Sequence, residues 1–169
     1  MKLFIILALC IMSANCDLHP ITSEEAETLR TLWSQVKHRE ADILYVIFKE
    51  NPDIQAHFPA FVGKDLEALR KSLAFAIHST RIVSFFSKIA TLAGDPSNLP
   101  ASKTLMNELG SSHKSRGIQK EFFNKFRASL DDFMQRQSSW NDNAAAVWNK
   151  ASDNFYFVLF ASLDGNPVN

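Results

Sequence analysis

Apolar residues recur every three to four positions in one segment of this chain after another, and sustained alternation of apolar and polar residues occurs nowhere. That period belongs to amphipathic α-helices that bury one face. The segment "TSEEAETLRTLWSQVK" opens the first. Thr22 and Glu25 have the spacing of a capping box, and Leu29, Leu32, Trp33 and Val36 follow on one face. "READILYVIFKEN" predicts a second, with Ile43, Leu44, Ile47 and Phe48 inward, and Pro52 starts a short new turn because proline suits the first turn of a helix and not its interior. A third long helix is expected from about Leu66 to Leu92. Residues 93–102, "AGDPSNLPAS", combine Gly, Asp, Asn and two prolines and read as a loop. A short helix, "KTLMNELGSSHK", a break at Ser115–Gly117, a long helix from Ile118 to about Gln137 and a last one from about Asn143 to Leu163 complete the pattern. The fold class is all-α, with seven or eight helices of unequal length and no internal repeat.

One polar residue interrupts an apolar stripe. In "FAIHSTRIVSFFSKI", residues 75–89, His78 shares a helical face with Ile82, Phe85 and Ile89. A neutral imidazole among such neighbours needs a hydrogen-bond partner or a metal, since burying it unsatisfied costs roughly 1–3 kcal/mol. A backbone carbonyl or a water would meet the need as a metal would. The loop "FPAFVGKD" is odd in the opposite sense, because it holds Phe58 and Phe61 where loops usually present polar residues; both should fold inward against something large. Fourteen phenylalanines in 169 residues call for an aromatic core or a large apolar ligand.

The N-terminus has a different character. "MKLFIILALCIMSANC" places Lys2 before an apolar run from Leu3 to Met12 and then small or polar residues, the pattern of a signal peptide and too short for the ~20 residues of a membrane-spanning helix. Cleavage after Cys16, or after Ala14, leaves one domain over 17–169. The cut after Cys16, the favoured one, removes both cysteines with the peptide, so the exported chain has no disulfide and depends on its core. Losing Lys2 leaves 17 basic against 18 acidic residues, which gives no electrostatic reason to bind nucleic acid or an anionic membrane.

Much chemistry is excluded. The five glycines, at 63, 94, 110, 117 and 165, form neither a phosphate-cradling loop nor a nucleophile elbow. There is no HExxH helix and no Cys/His zinc spacing, and the neighbours Asp131 and Asp132 are expected to face solvent. Without cysteine the domain can hold haem only noncovalently and through histidine. His19, His38 and His57 stand in polar or loop contexts. His113 differs: in "NELGSSHKSRG" it follows Leu109 by one turn and Ser112 directly, so that the Leu109 carbonyl or a serine could take its second N–H, as ligating histidines require. A histidine closing a helix C-terminus, favoured by the dipole, is the plainer reading of the same position.

The order of these parts resembles the globin family, specifically the secreted larval haemoglobins of midges, over nearly all of residues 17–169. "LWSQVK" looks like the end of the first globin helix, "DILYVIFKENP" like the second running into its proline-started turn, and "FPAF" like the loop phenylalanine pair, with Phe58 on the haem. "FAIHSTRIVSFFSKI" is similar to the distal helix and "LGSSHKSRG" to the proximal one. The resemblance implies a noncovalent haem b with His113 as proximal iron ligand, His78 as distal histidine, Ile82 over the iron and Leu109 beneath the ring. Phe58, Phe122, Phe126 and Ile118 would wall the pocket, Leu44 would line the distal cavity, and Arg81 would reach a haem propionate or the ligand. The other phenylalanines, Phe85, Phe86 and Phe123 among them, are expected to be ordinary core. One departure stands out: His78 and His113 lie 35 residues apart, longer by about one loop than the pattern, with the excess in residues 94–103. A surface loop of that kind costs only ~0.6 kcal/mol per doubling of length.

The implied function is reversible O₂ binding for transport or storage in haemolymph by a monomer or weak homodimer, not an enzyme. Peroxidase or nitric-oxide dioxygenase turnover at the same site, and a haem-free secreted carrier of apolar ligands, are the competing readings.

Overall fold

The computed structural model describes residues 18–169; the predicted signal peptide and its cleavage point lie outside the described residues. Eight α-helices make up the fold, and no strand occurs among the described residues. Helix α1 (Ser23–Val36) begins with the expected capping box: the Thr22 side chain accepts from Glu25 N, and the Glu25 carboxylate accepts from Thr22 N. Helix α2 (Glu40–Glu50) is followed by α3 (Pro52–Ala56), a five-residue helix with Pro52 in its first turn. Next come α4 (Leu66–Arg70), α5 (Leu73–Leu92), a 3₁₀ turn at Pro96–Asn98, and α6 (Leu99–Lys114). Helices α7 (Lys120–Gln137) and α8 (Asp142–Asp164) complete the bundle.

Two boundaries differ from expectation. The helix expected from Leu66 to Leu92 is interrupted at Lys71 and Ser72, because the Ser72 hydroxyl accepts from Phe75 N and caps a new helix. The expected loop over residues 93–102 closes early. Asp95 caps the 3₁₀ turn, and Pro96 and Pro100 each occupy a first-turn position, so both prolines start helices instead of preventing them. The excess length relative to the family pattern therefore lies largely in helix, and α6 is a 16-residue helix that reaches His113.

Two apolar clusters hold the bundle. The larger joins α1, α2, α5, α7 and α8 through residues such as Val36, Leu44, Phe48, Phe75, Met134 and Trp148. Phe48 and Phe75 are each at most 1% exposed, and such burial contributes about 1.5–3 kcal/mol per side chain. The smaller cluster, with Met106, Phe155, Leu159 and Leu163, joins α6 to α8. These two helices cross closely at Gly110, where a Cβ atom would stand 2.6 Å from Ser162 Cβ and 2.8 Å from the Leu159 carbonyl oxygen. Asp131, expected to face solvent beside Asp132, is half-buried and accepts a 2.6 Å hydrogen bond from Trp148 Nε1, tying α7 to α8.

Candidate functional site

Helix α5 buries one stripe fully, Phe75, Ser79, Val83 and Ala90, and leaves the neighbouring one, His78, Ile82, Phe85 and Ile89, only half-buried. The first stripe is packed against the core. In that second stripe Ile82 packs beside the larger cluster, and Phe85 and Ile89 pack beside the smaller one, as Leu109 of α6 does. The other side chains in play here are half-buried too: Phe58, Leu109, His113, Ile118, Phe122, Phe123 and Phe126. Apolar groups left half-open in this way form a surface suited to an apolar guest. Leu44 is different. At 1% exposure it is enclosed within the larger cluster.

The loop phenylalanines do fold inward. Phe61 is 2% exposed, and its ring lies 5.8 Å from Phe48 and 5.9 Å from Phe75. Phe58 stands between Phe48, at 5.2 Å, and His78, whose imidazole meets it edge to face at 4.7 Å. Burial lowers the pKa of His78 from 6.5 to about 4, with the charges of Arg81, His113 and Arg116 acting in the same direction, so this imidazole is neutral at physiological pH.

On α6 the choice of partner for His113 is resolved. Its Nδ1 lies 2.8 Å from Leu109 O, one turn earlier. A carbonyl can only accept, so the proton sits on Nδ1 and the lone pair on Nε2. Burial lowers the pKa of His113 as well, partly opposed by the Leu109 hydrogen bond. A neutral imidazole with its N–H held and the other nitrogen available is the form that ligates a metal. The ring also lies 5.1 Å from Phe123, edge to face. Phe123, expected to be ordinary core, does pack against the smaller cluster and in addition borders the His113 imidazole. Phe122 packs on His57 at 4.1 Å, and Phe126 stacks parallel to Phe86 at 6.1 Å. Among the described residues no group of three or more His, Cys, Asp or Glu side chains could hold a metal ion.

The arginines add a feature that sequence reasoning found only by half. Arg30 donates to the Ala90 and Ala93 carbonyls, and Arg39, Arg70, Arg127 and Arg136 each pair with a carboxylate. Arg81 and Arg116 alone, among the described residues, are exposed with no side-chain partner, and both act electrostatically on His78. Two such cations close enough to act on His78, beside half-buried apolar side chains, fit a guest with an apolar body and anionic substituents. The signal for Arg116 was its place three residues after His113, in "SHKSRG".

A separate cavity of about 50 Å³ lies on the far side of Phe86, among Leu29, Trp33, Ile89, Trp148, Phe155 and Tyr156, and includes neither histidine.

The globin family profile matches residues 41–159. Globin CTT-Z of Chironomus thummi piger is 51% identical over 160 residues, spanning 95% of this chain and 97% of that one. Globin CTT-IX of Chironomus thummi thummi is 49% identical over 163 residues, spanning 96% and 100%. The crystal structure of hemoglobin component TA-VII from Tokunagayusurika akamusi superposes with a TM-score of 0.83 at 36% identity, covering 87% of this chain and 99% of that one.

Proposed function

The chain belongs to the globin family, and from that premise we propose that it is an extracellular haemoglobin binding O₂ reversibly at a noncovalent haem b. The observation that carries the reading is the 2.8 Å hydrogen bond from His113 Nδ1 to Leu109 O, which leaves Nε2 directed away from its own helix as the iron ligand. When bound, the haem iron supplies reversible coordination of a diatomic ligand at its sixth position.

The protein supplies the rest. Phe58 and Leu109 would contact the bound haem, with Ile82, Ile118, Phe122, Phe123 and Phe126 as its apolar surroundings and Leu44 behind them in the core. His78, neutral because desolvated, would donate a hydrogen bond to O₂ without bringing charge to it, and the apolar side chains would limit the access of water. Arg81 and Arg116 would hold the propionates. No role as an enzyme is proposed.

The chain is read as a domain over residues 17–169 exported to haemolymph as a monomer or weak homodimer. Exposed large apolar side chains are few among the described residues, Val62, Leu99 and the neighbours Leu73 and Ile77 on one face of α5, too few for a large apolar interface, which supports the low oligomeric state. Sequencing the N-terminus of the secreted protein and measuring its sedimentation test these two points.

The deciding experiment is the visible spectrum of His113→Gly. The reading expects the unsubstituted protein to give a five-coordinate ferrous spectrum that changes reversibly with O₂, and the glycine variant to hold haem stably only when imidazole is added. A normal ferrous spectrum in His113→Gly without imidazole moves the ligand elsewhere. An unsubstituted protein with no Soret band favours a haem-free apolar carrier, and fast peroxide turnover favours the peroxidase.

A further inference from the structure

Helix α6 is held along its length by the segment that follows α8. Gly165 ends α8 in the left-handed conformation (φ 95°) and turns the chain back beside Lys114, whose Nζ would lie 2.5 Å from a Cβ at that position. From there residues 165–169 run antiparallel to α6. The Asn107 side chain grips Val168 from both sides: Nδ2 donates to Val168 O at 2.9 Å, and Val168 N donates to Oδ1 at 3.3 Å. Lys103 Nζ donates to Asn169 O at 2.6 Å. The Ser162 hydroxyl adds a 2.7 Å bond to the Asn107 carbonyl, next to the close crossing at Gly110.

We infer that Asn107 is a positioning residue for the His113 imidazole, acting through this strap; the inference rests on the assignment of His113 as iron ligand. The two residues are six apart on one continuous helix, about 9 Å along its axis. The His113 ring cannot turn independently, because Nδ1 is tied to the backbone of α6 at Leu109. The position of Nε2 is therefore that of the helix. The half-buried His113 ring is not fixed by close packing around it, whereas α6 is fixed by its contact with α8 and by the strap. An asparagine amide pairing with both the N–H and the C=O of one residue fixes register along the helix as well as distance, which apolar contacts alone do not.

The test uses the full-length haem protein and compares Asn107→Ala, Asn107→Asp, removal of residues 166–169, and Val147→Ala. Asn107→Asp keeps the acceptor for Val168 N–H and loses the donor to Val168 O. Val147→Ala weakens the larger core cluster away from the strap. The readouts are the iron–histidine stretching band in the resonance Raman spectrum of the ferrous ligand-free form and hydrogen exchange at amides 110–114. The expected result is a shifted or broadened band and faster exchange in the first three proteins and not in Val147→Ala, with O₂ dissociation altered about 2- to 30-fold. Adding Asn107→Ala to the truncated protein should change nothing beyond the truncation, since removal of residues 166–169 already takes away the Val168 grip together with the Lys103 bond. Should Asn107→Ala fail to fold, Asn107→Asp and the truncation carry the comparison. A band present in the unsubstituted protein and unmoved in the variants, or moved equally by Val147→Ala, overturns the strap alone. Absence of any iron–histidine band in the unsubstituted protein overturns the ligand assignment, and the strap with it.

Discussion

The ring of Phe58 stands edge to face on the imidazole of His78, with centroids 4.7 Å apart. One residue comes from a loop and the other from the second turn of α5, so this contact joins the loop after α3 to that helix. Replacing Phe58 with alanine is expected to cost about 2 kcal/mol of stability, below the 3–5 kcal/mol of a fully enclosed phenylalanine because the ring is only half-buried. It should also speed haem transfer to an acceptor protein. Urea unfolding and transfer kinetics measure the two effects. A variant that surrenders haem no faster than the unsubstituted protein would remove Phe58 from the pocket.

His78 and Arg81 lie within one turn of α5, and the structure separates their environments: the histidine is half-buried and neutral, the arginine exposed. A donor to O₂ contributes roughly 1–3 kcal/mol, or about 5- to 150-fold in affinity. His78→Leu is expected to raise the O₂ dissociation rate severalfold and by more than Arg81→Leu does. Stopped-flow kinetics giving the reverse order would transfer the role to the arginine.

Arg81 and Arg116 should each slow haem release by pairing with a carboxylate at the solvent edge. Exposed pairs are worth about 0.2–1 kcal/mol, so glutamine at either site is expected to speed release about 1.4- to 5-fold. The effect should disappear when the haem propionates are esterified. An unchanged difference with the ester would mean that the arginines act on something other than those carboxylates.

The buried histidines make the haem-free protein sensitive to acid. The pKa of His78 falls from 6.5 to about 4 on folding, so between these values the unfolded chain binds a proton that the folded chain does not. Stability is then retained above pH 6.5 and lost as the pH falls toward 4. His113 is shifted in the same direction. Urea midpoints of the haem-free protein should decline through this window, and His78→Gln should flatten the decline. An equal slope in that variant would assign the acid sensitivity to other groups.

Local signals in the sequence located α1, α2 and α3 well, because a capping box and a first-turn proline act within a few residues of where they stand. The same proline rule, applied at Pro96 and Pro100, would have extended α6 to Leu99; the cluster of loop-forming residues obscured it. Ser72 escaped notice because a serine in a polar stretch becomes a cap only once the chain bends there. Both imidazoles could be picked out from their helical context, and one-turn spacing made Leu109 one of two kinds of hydrogen-bond partner, the other being a neighbouring serine. The contact between Phe123 and His113 depends on how α7 is rotated against α6, and the free state of Arg116 on where every carboxylate ends up. Neither is a property of a local segment. The grip of Asn107 on Val168 spans 61 residues and has no motif at all.

Gly110 faces Ser162 across a gap that no side chain can enter. In evolutionary terms position 110 is closed. A methyl group gained there meets the Leu159 backbone oxygen as well as the Ser162 side chain, so no exchange at 162 makes room for it; α6 must lift off α8 or slide along it, and sliding would carry His113 along. A lineage that lost this glycine would register the loss as a displacement of that imidazole.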